Sequence, residues 1–231
     1  MFKKPLITCF CLAVAVAGCE PQREMETWEK REQVHTDKTP QQWIELIRHR
    51  NATARRKAVE AIIQYGDAHV PALIEILEDK TAGPSRLSAA RALGGIGAGA
   101  KAAVPALCKA LGETGWVDRD GAAKALGDIR QNLQQTIPAL VAALKDSDER
   151  VRGAAARALG RMQSGEGSVV SALAAVLEDE DSNVKAEAAE ALQRIGPKAQ
   201  AAIPALKKAA KAEDFIVSQA ASEALKRVQG E

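Results

Sequence analysis

The stretch that decides the fold is VRGAAARALG, residues 151–160, because close copies of it return along the chain at a fixed distance. The copies contain the phrases AARALG, AAKALG, AAEALQ and ASEALK, each with a leucine in the same position. The leucines lie 33 residues apart and are Leu93, Leu126, Leu159, Leu192 and Leu225. A fixed period of this length predicts a solenoid, in which each repeat contacts its neighbours and function lies on an extended surface.

A second motif alternates with the first and reads VPALIEIL, VPALCKAL, IPALVAAL and IPALKKAA. Its proline position is occupied by Pro71, Pro105, Pro138 and Pro204, and by Ser171 in one copy. Residues 146–177 contain a polar turn and then two apolar stripes at helical spacing, which predicts two helices per repeat. Gly160 and Gly165 are predicted to weaken and end the first of these helices. One helix pair cannot cover its own apolar face, so we expect stacked pairs with a continuous core.

Together the two motifs resemble the short bacterial HEAT repeat, also described as phycobilisome-lyase HEAT-like. They share its proline-led helix, its acidic turn and the phrase V-R-x-x-A-A-x-A-L-G, whereas the ankyrin T-P-L-H and tetratricopeptide W…LG…Y patterns are missing. The resemblance covers Thr39 to about Val228. It implies an all-α fold, a right-handed α-solenoid (α-α superhelix) of stacked helix pairs, with the second helix of each repeat on the concave side.

The two ends of the predicted solenoid, residues 39–231, carry distinct signals. Thr39-Pro40-Gln41-Gln42 is a capping box, which predicts a short first helix that is half a repeat and caps the N-terminal end. At the other end, Phe215 and Ile216 are expected to close the array.

The first residues of the chain predict a secretory signal peptide over residues 1–18. Lys3 and Lys4 precede a mostly apolar stretch that is too short for a comfortable membrane span. The following phrase, Val16-Ala17-Gly18-Cys19, resembles a bacterial lipobox. The resemblance implies cleavage before Cys19 and lipidation of that cysteine, and several acyl chains give stable anchoring. The alternative is an ordinary signal peptide in which Cys19 has no role.

Residues 19–38 are predicted to be the lipidated cysteine and a polar tether, because they are charged and poor in aliphatic side chains. Trp28 packs on the first repeat or lies at the lipid surface. The expected location is the cell envelope. Glu20 follows Cys19 in place of the aspartate that commonly retains lipoproteins at the inner membrane, so we expect the periplasmic face of the outer membrane. The inner membrane remains the alternative.

Charge and cysteine content exclude some function classes. The chain has 32 basic and 30 acidic residues, and removing Lys3 and Lys4 with the signal peptide leaves 30 of each. A nucleic-acid partner is therefore not expected, since it calls for a clustered basic surface.

Once the signal peptide is removed and Cys19 is lipidated, Cys108 is alone among apolar residues and is interpreted as a small buried hydrophobe.

A column of cations stands seven residues before each marker position, at Arg55, Arg86, Arg119, Arg152 and Lys185, and Ser218 ends it. Two interpretations remain open. Acids near the turns, such as Asp146 and Asp179, pair with the column, and in the HEAT family such columns form ladders between repeats. Alternatively, the column is a basic strip that binds an anionic ligand.

The candidate partner-binding residues are Arg91, Lys124, Arg157 and Arg161, together with Trp116. The four cations are predicted to point outward from the second helices and to contact an acidic stretch of a protein partner; the alternative is a solvated helix face. Trp116 is either an exposed binding hot spot on a rigid loop or a side chain that fills the gap left by the neighbouring glycine.

We expect no enzyme activity. His35, His49 and His69 are isolated, and no nucleophile motif, phosphate-binding loop or metal-spaced cluster is present, so no metal, cofactor or small-molecule substrate is expected. Bilin lyases share these repeats, but a secreted lipoprotein is an unsuitable place for chromophore attachment. Two function classes remain: a membrane-tethered adaptor that binds an envelope protein through its concave face, and a structural spacer without a dedicated ligand.

Overall fold

A computed structural model describes residues 38–116 and 118–230 of the chain. The predicted signal peptide, Cys19, Trp28 and the tether up to residue 37 lie outside the described residues. The described ranges contain twelve α-helices and no strand. These are α1 Pro40–Ile47, α2 Ala52–Tyr65, α3 Val70–Glu78, α4 Pro84–Ile96, α5 Val104–Leu111, α6 Arg119–Ile129, α7 Leu133–Ala143, α8 Glu149–Met162, α9 Gly167–Val176, α10 Ser182–Ile195, α11 Ile203–Ala209 and α12 Phe215–Gln229. The predicted all-α solenoid is confirmed.

Consecutive helices form six pairs over the described residues, and the odd-numbered and even-numbered helices make two layers. Helices α3, α5 and α11 start at the proline motif and are preceded by short 3-10 helices at Gly66–His69, Gly97–Ala103 and Gly196–Ala202. In α7 the proline, Pro138, lies inside the helix, and α9 contains no proline. Several even helices start at an acidic N-cap whose carboxylate accepts backbone amides of the first turn, as Asp148, Asp181 and Asp214 do. The acidic turns of the sequence thus fix where α8, α10 and α12 begin.

The first helix is positioned by the predicted capping box. The Thr39 hydroxyl accepts from the Gln42 amide at 3.3 Å, and the Gln42 side-chain oxygen accepts from the Thr39 amide at 2.8 Å. Helix α1 packs on α2 and buries Trp43, Ile44 and Ile47. It therefore serves as the odd-numbered member of the first pair and covers one end of the core, as its half-repeat pattern predicted.

Glycines bring the even helices unusually close together. A Cβ atom at Gly160 would lie 2.7 Å from the Cα of Ala191, and one at Gly127 would lie 2.8 Å from the Cα of Ala158. The even helices pack more closely on one another than the odd helices do. Closer spacing within one layer curves the array toward that layer, so the even helices line the concave side.

Helix α8 ends later than the sequence predicted. Gly160 lies inside α8, which continues to Met162 and ends at Gln163 in the left-handed region with φ +50°. The prediction that Gly160 ends the helix was wrong, because its missing side chain serves interhelical contact and not chain reversal.

The marker leucines form the centre of the core. Leu93, Leu126, Leu159 and Leu192 are completely buried. Cys108 is partly buried beside this core, as its apolar surroundings predicted, and burial raises the pKa of its thiol. Within the described residues, no helix is long and apolar enough to cross a membrane.

The C-terminal end is more open than expected. Phe215 and Ile216 are 76% and 57% exposed, so the prediction that they close the array was wrong. They begin α12, and no later helix among the described residues packs over them. The marker Leu225 is likewise only partly buried among the described residues.

Candidate protein-binding surface

The concave layer brings the four predicted cations onto one surface. Arg91 projects from α4, Lys124 from α6, and Arg157 and Arg161 from α8, and each side chain is at least partly exposed. Their positions two residues before or after a marker leucine point them away from the core. We call the surface the inner charged face and define it by Arg91, Lys124, Asp128, Arg157, Arg161 and Glu187.

Acidic side chains neutralise three of these cations. Lys124 pairs with Asp120 of its own helix at 2.6 Å. Arg157 donates two hydrogen bonds to Glu187 of α10, one of them at 2.8 Å from its Nε, and this contact raises the pKa of the guanidinium. The predicted basic cluster is therefore an alternation of positive and negative groups across helices. A sequence pattern that considers one outward position on each helix does not predict these ion pairs. Asp120 lies at a different position of α6, and Glu187 lies on the neighbouring helix α10.

Two further contacts complete the inner charged face. Arg161 reaches back to Asp128 at the corresponding position of α6, 33 residues earlier. Arg91 makes no hydrogen bond or ion pair among residues 38–116 and 118–230. Its guanidinium is therefore the most available predicted contact.

A shallow groove of about 350 Å³ crosses this surface between α6, α8 and α10. Asp120, Lys124, Arg157 and Glu187 line it, and Gly153 contributes no side chain to its floor. The groove thus offers donors and acceptors side by side, an arrangement that suits a polar peptide segment better than an apolar ligand.

The cation column forms a ladder between repeats. Arg86 pairs with Glu113 at 2.8 Å, Arg119 with Asp146 at 2.7 Å, and Arg152 with Asp179 at 2.8 Å. Each acid follows its arginine by 27 residues and lies in the turn of the next helix pair. The ladder interpretation is confirmed for these three arginines, whose charges are already satisfied within the chain.

The ladder pairs are largely shielded from solvent. The side chains of Arg152 and Asp179 are 9% and 10% exposed, and those of Arg119 and Asp146 are both 14% exposed. The arginines also donate to backbone carbonyls, as Arg86 does to Leu77 at 2.7 Å. The guanidinium of Arg119 holds the pKa of Asp146 below its ordinary value. Burial opposes ionisation of Asp179, yet hydrogen bonds from Arg152 and the Asp181 amide outweigh it and lower its pKa.

Trp116 belongs to this ladder and not to an exposed surface. Its side chain is 8% exposed, and its ring lies over the Arg86 guanidinium, 4.5 Å from the ring centroid. The exposed hot-spot interpretation is therefore wrong. The ring packs on Arg86, and its contact with a gap beside Gly115 stays a prediction. The ring shields the Arg86–Glu113 pair from water, a cation–π contact that adds to the ion pair.

The family and its solved relatives agree with this architecture. The HEAT-repeat family matches residues 40–127, 104–169 and 137–226, which together run without a gap from residue 40 to residue 226. The chain has no significant match among curated proteins. No group of three or more metal-binding side chains occurs within the part of the chain that the structure describes.

Among solved structures, the chain resembles one chain of the CpcE–CpcF complex of phycocyanin lyase from Nostoc, with 27% identity and a TM-score of 0.60, covering 70% of this chain and 65% of that one. It also resembles a designed armadillo repeat protein in complex with the peptide (KR)4, with 21% identity, a TM-score of 0.57, and coverage of 82% and 98%. A structure of Kap95p with RanGDP matches with 17% identity and a TM-score of 0.64, over 88% of this chain and 32% of that one. Because the family match spans most of the chain, the protein belongs to the HEAT-repeat family.

Proposed function

We propose that the protein is a membrane-anchored adaptor of the bacterial cell envelope that binds a protein partner through the inner charged face. The observation that carries the proposal is the fixed array of exposed polar groups on consecutive concave helices, from Arg91 on α4 to Glu187 on α10. Close Gly–Ala contacts such as Gly160–Ala191 hold these helices in place. A pre-organised surface loses little conformational entropy when it binds, which favours recognition of a protein segment.

The solved relatives support a protein partner in general. The designed armadillo repeat protein was crystallised with a peptide, CpcE with CpcF, and Kap95p with RanGDP. All share the stacked-helix architecture with this chain, and each is bound to a polypeptide. The proposal includes no catalytic step, no cofactor and no nucleic acid.

The anchoring part of the proposal rests on the sequence alone. The phrase Val16-Ala17-Gly18-Cys19 follows a short apolar segment and resembles a lipobox, and residues 20–38 then supply a polar tether. The tethered solenoid would face the periplasm from the outer membrane, with the inner membrane as the alternative.

A substitution at Cys19 tests the anchor. Cys19→Ser is expected to lack the acyl chains and to keep its signal peptide, as measured by intact mass. Density-gradient separation of the two membranes then locates the parent protein. A Cys19→Ser variant that is shortened and stays in the membrane fraction contradicts lipidation.

A photo-crosslinking amino acid at position 91 tests the partner-binding surface. Arg91 lies on the concave layer, whereas Glu75 is exposed on α3 in the other layer and provides the matched control position. In native envelopes, we expect one dominant protein product from position 91 and none from position 75. Equal products from both positions contradict a dedicated concave site.

The same experiment addresses the second candidate, a structural spacer without a dedicated ligand. The ion pairs of Lys124, Arg157 and Arg161 favour this alternative, because a face that satisfies its own charges needs no ligand to do so. Absence of a dominant product from either position supports the spacer and rejects the adaptor.

A further inference from the structure

The ladder rule fails at both ends of the cation column. At the first end Arg55 is followed after 27 residues by Ala82 and donates to the carbonyls of His49 and Arg50 instead, and at the last interface between helix pairs Lys185 lacks an acid as well. The residue 27 positions after each of Arg86, Arg119 and Arg152 is acidic, but Lys185 is followed at this distance by Ala212. The arginine is thus replaced by the shorter lysine and its carboxylate partner by a methyl group. The last position of the ladder has a cation and lacks the acid that the three preceding positions have.

The groove at that interface is larger than the one two repeats earlier. The groove beside Lys185 and Ala212 has a volume of about 670 Å³, compared with about 400 Å³ for the groove beside Arg119 and Asp146, two repeats earlier. Three more lysines line it. We call this groove the terminal socket and define it by Lys185, Lys207, Lys208, Lys211 and Ala212.

Nearby carboxylates do not replace the missing acid. Lys185 makes no hydrogen bond or ion pair within the described ranges, although Asp179 and Asp214 lie close enough for their pKa values to be lowered by its charge. Asp179 is already bound by Arg152. Asp214 accepts from the Ile216 and Val217 amides and from Ser182.

The remaining acids of the terminal socket leave an excess of positive charge. Glu178 is paired with Lys208 at 2.9 Å, and Glu213 is the other acidic residue that lines the groove. The residues that line the groove include four lysines and two glutamates, and Asp214 close to Lys185 reduces the excess to one positive charge.

Apolar side chains stand beside the terminal socket where the two preceding repeats have polar ones. Phe215 follows Lys185 by 30 residues, as Trp116 follows Arg86, so the two aromatic residues are in register. Trp116 covers its ladder pair, whereas Phe215 is 76% exposed, next to Ile216 at 57%. One repeat earlier these positions hold Ser182 and Asn183. Two adjacent apolar side chains are thus exposed at the start of α12.

We propose that the terminal socket binds an acidic segment of a protein partner, which supplies to Lys185 the carboxylate that Ala212 lacks. An apolar side chain of the same segment covers Phe215 and Ile216. A carboxylate is the favoured ligand group because the equivalent positions of the three preceding ladder pairs all hold one. The socket is a surface distinct from the inner charged face, so the proposal goes beyond the adaptor site assigned above.

Fluorescence anisotropy with a labelled peptide of glutamates, one tryptophan and one leucine tests this proposal on the full chain. We expect saturable binding that Lys185→Ala weakens by about tenfold, the loss of one charge-assisted contact. Ala212→Asp rebuilds the ladder acid inside the chain, so it should abolish peptide binding while leaving the fold intact by circular dichroism. Lys101→Ala removes an exposed lysine outside the socket and should bind as the parent does.

Three results overturn the proposal. The first is equal binding of the parent and Ala212→Asp. The second is equal binding of a peptide in which lysines replace the glutamates. The third is binding to phosphatidylglycerol vesicles, but not to the acidic peptide, that is lost in Lys185→Ala, which assigns the socket to an anionic membrane surface. Arg91→Glu leaves the socket unchanged, so it separates a failure here from a failure of the inner charged face.

Discussion

Arg152 donates two parallel hydrogen bonds, each 2.8 Å long, to the carboxylate of Asp179 across the interface between two helix pairs. The same guanidinium donates at 3.0 Å to the carbonyl of Asp146, within the turn that precedes its own helix. One side chain thus joins the turn of its own repeat to the turn of the next, and the 27-residue offset repeats this connection along the array.

Breaking this pair should cost far more than breaking a surface pair. Arg152→Ala leaves the Asp179 carboxylate buried without its partner, so we expect the free energy of unfolding to fall by about 3 kcal/mol. The exposed pair of Arg194 and Glu190, one turn apart on α10, is the control and should contribute less than about 0.5 kcal/mol. Urea unfolding of the single and double variants of each pair measures the two coupling energies, and equal values contradict a structural ladder.

Two glycines of α8 should respond in opposite directions to the same substitution. Gly160→Ala places a methyl group 2.7 Å from the Cα of Ala191 and should lower the free energy of unfolding by about 1–3 kcal/mol. A Cβ at Gly153 meets its nearest neighbours at 3.9 Å, so Gly153→Ala should raise it by about 0.5–1 kcal/mol through helix propensity. Thermal or urea unfolding gives the sign, and equal effects from both changes contradict close packing as the role of Gly160.

Some features of the fold and of the charged surface can be predicted from the sequence, because they are regular spacings along the chain, and others cannot. The period and the ladder were predictable because they are spacings, and a spacing of 27 residues would have named Asp179 as the partner of Arg152. Gly160 was misassigned because a glycine that ends a helix and one that admits a neighbouring helix look alike in sequence. The contact between Arg157 and Glu187 depends on side-chain directions across two helices, which no single-helix pattern contains.

The exposure of the Trp116 ring cannot be predicted from the sequence of its turn for the same reason. Its turn allowed an exposed or a packed ring, and the outcome depends on the position of Arg86, 30 residues earlier. Phe215, at the equivalent place three repeats later, is exposed because no described helix packs over it, and its local sequence does not distinguish exposure from burial.

These two aromatic residues provide a matched pair for mutation. Trp116→Ala removes a buried ring and uncovers the Arg86–Glu113 pair, so we expect a loss of about 3–5 kcal/mol in the free energy of unfolding. Phe215→Ala removes an exposed ring at the same register and should change it by less than about 0.5 kcal/mol. If both substitutions cost the same, the assignment of Trp116 to the ladder is wrong.

Because of the ladder carboxylates, the free energy of unfolding should depend on pH. The pKa values of Asp146 and Asp179 are lower in the folded chain than in the unfolded chain, where aspartate titrates near about 3.9. The unfolded chain therefore binds more protons as the pH falls, so the stabilisation is full above about pH 5 and is lost as the pH falls through the lowered folded values. Asp179→Asn should consequently be less stable than the parent at pH 7 and should approach it in stability near about pH 2.

Urea unfolding of the parent and of Asp179→Asn at several pH values measures this convergence. Glu180→Gln removes the neighbouring carboxylate, which is 87% exposed and contacts Arg152 only at 3.4 Å, and it serves as the control with the same charge change. Its stability should follow that of the parent across the range, because a solvated carboxylate differs little between the folded and unfolded chains. A gap between the parent and Asp179→Asn that stays constant from pH 7 to about pH 2 means that the ionised state of Asp179 contributes nothing to the interface. The bidentate contact with Arg152 would then act by shape alone.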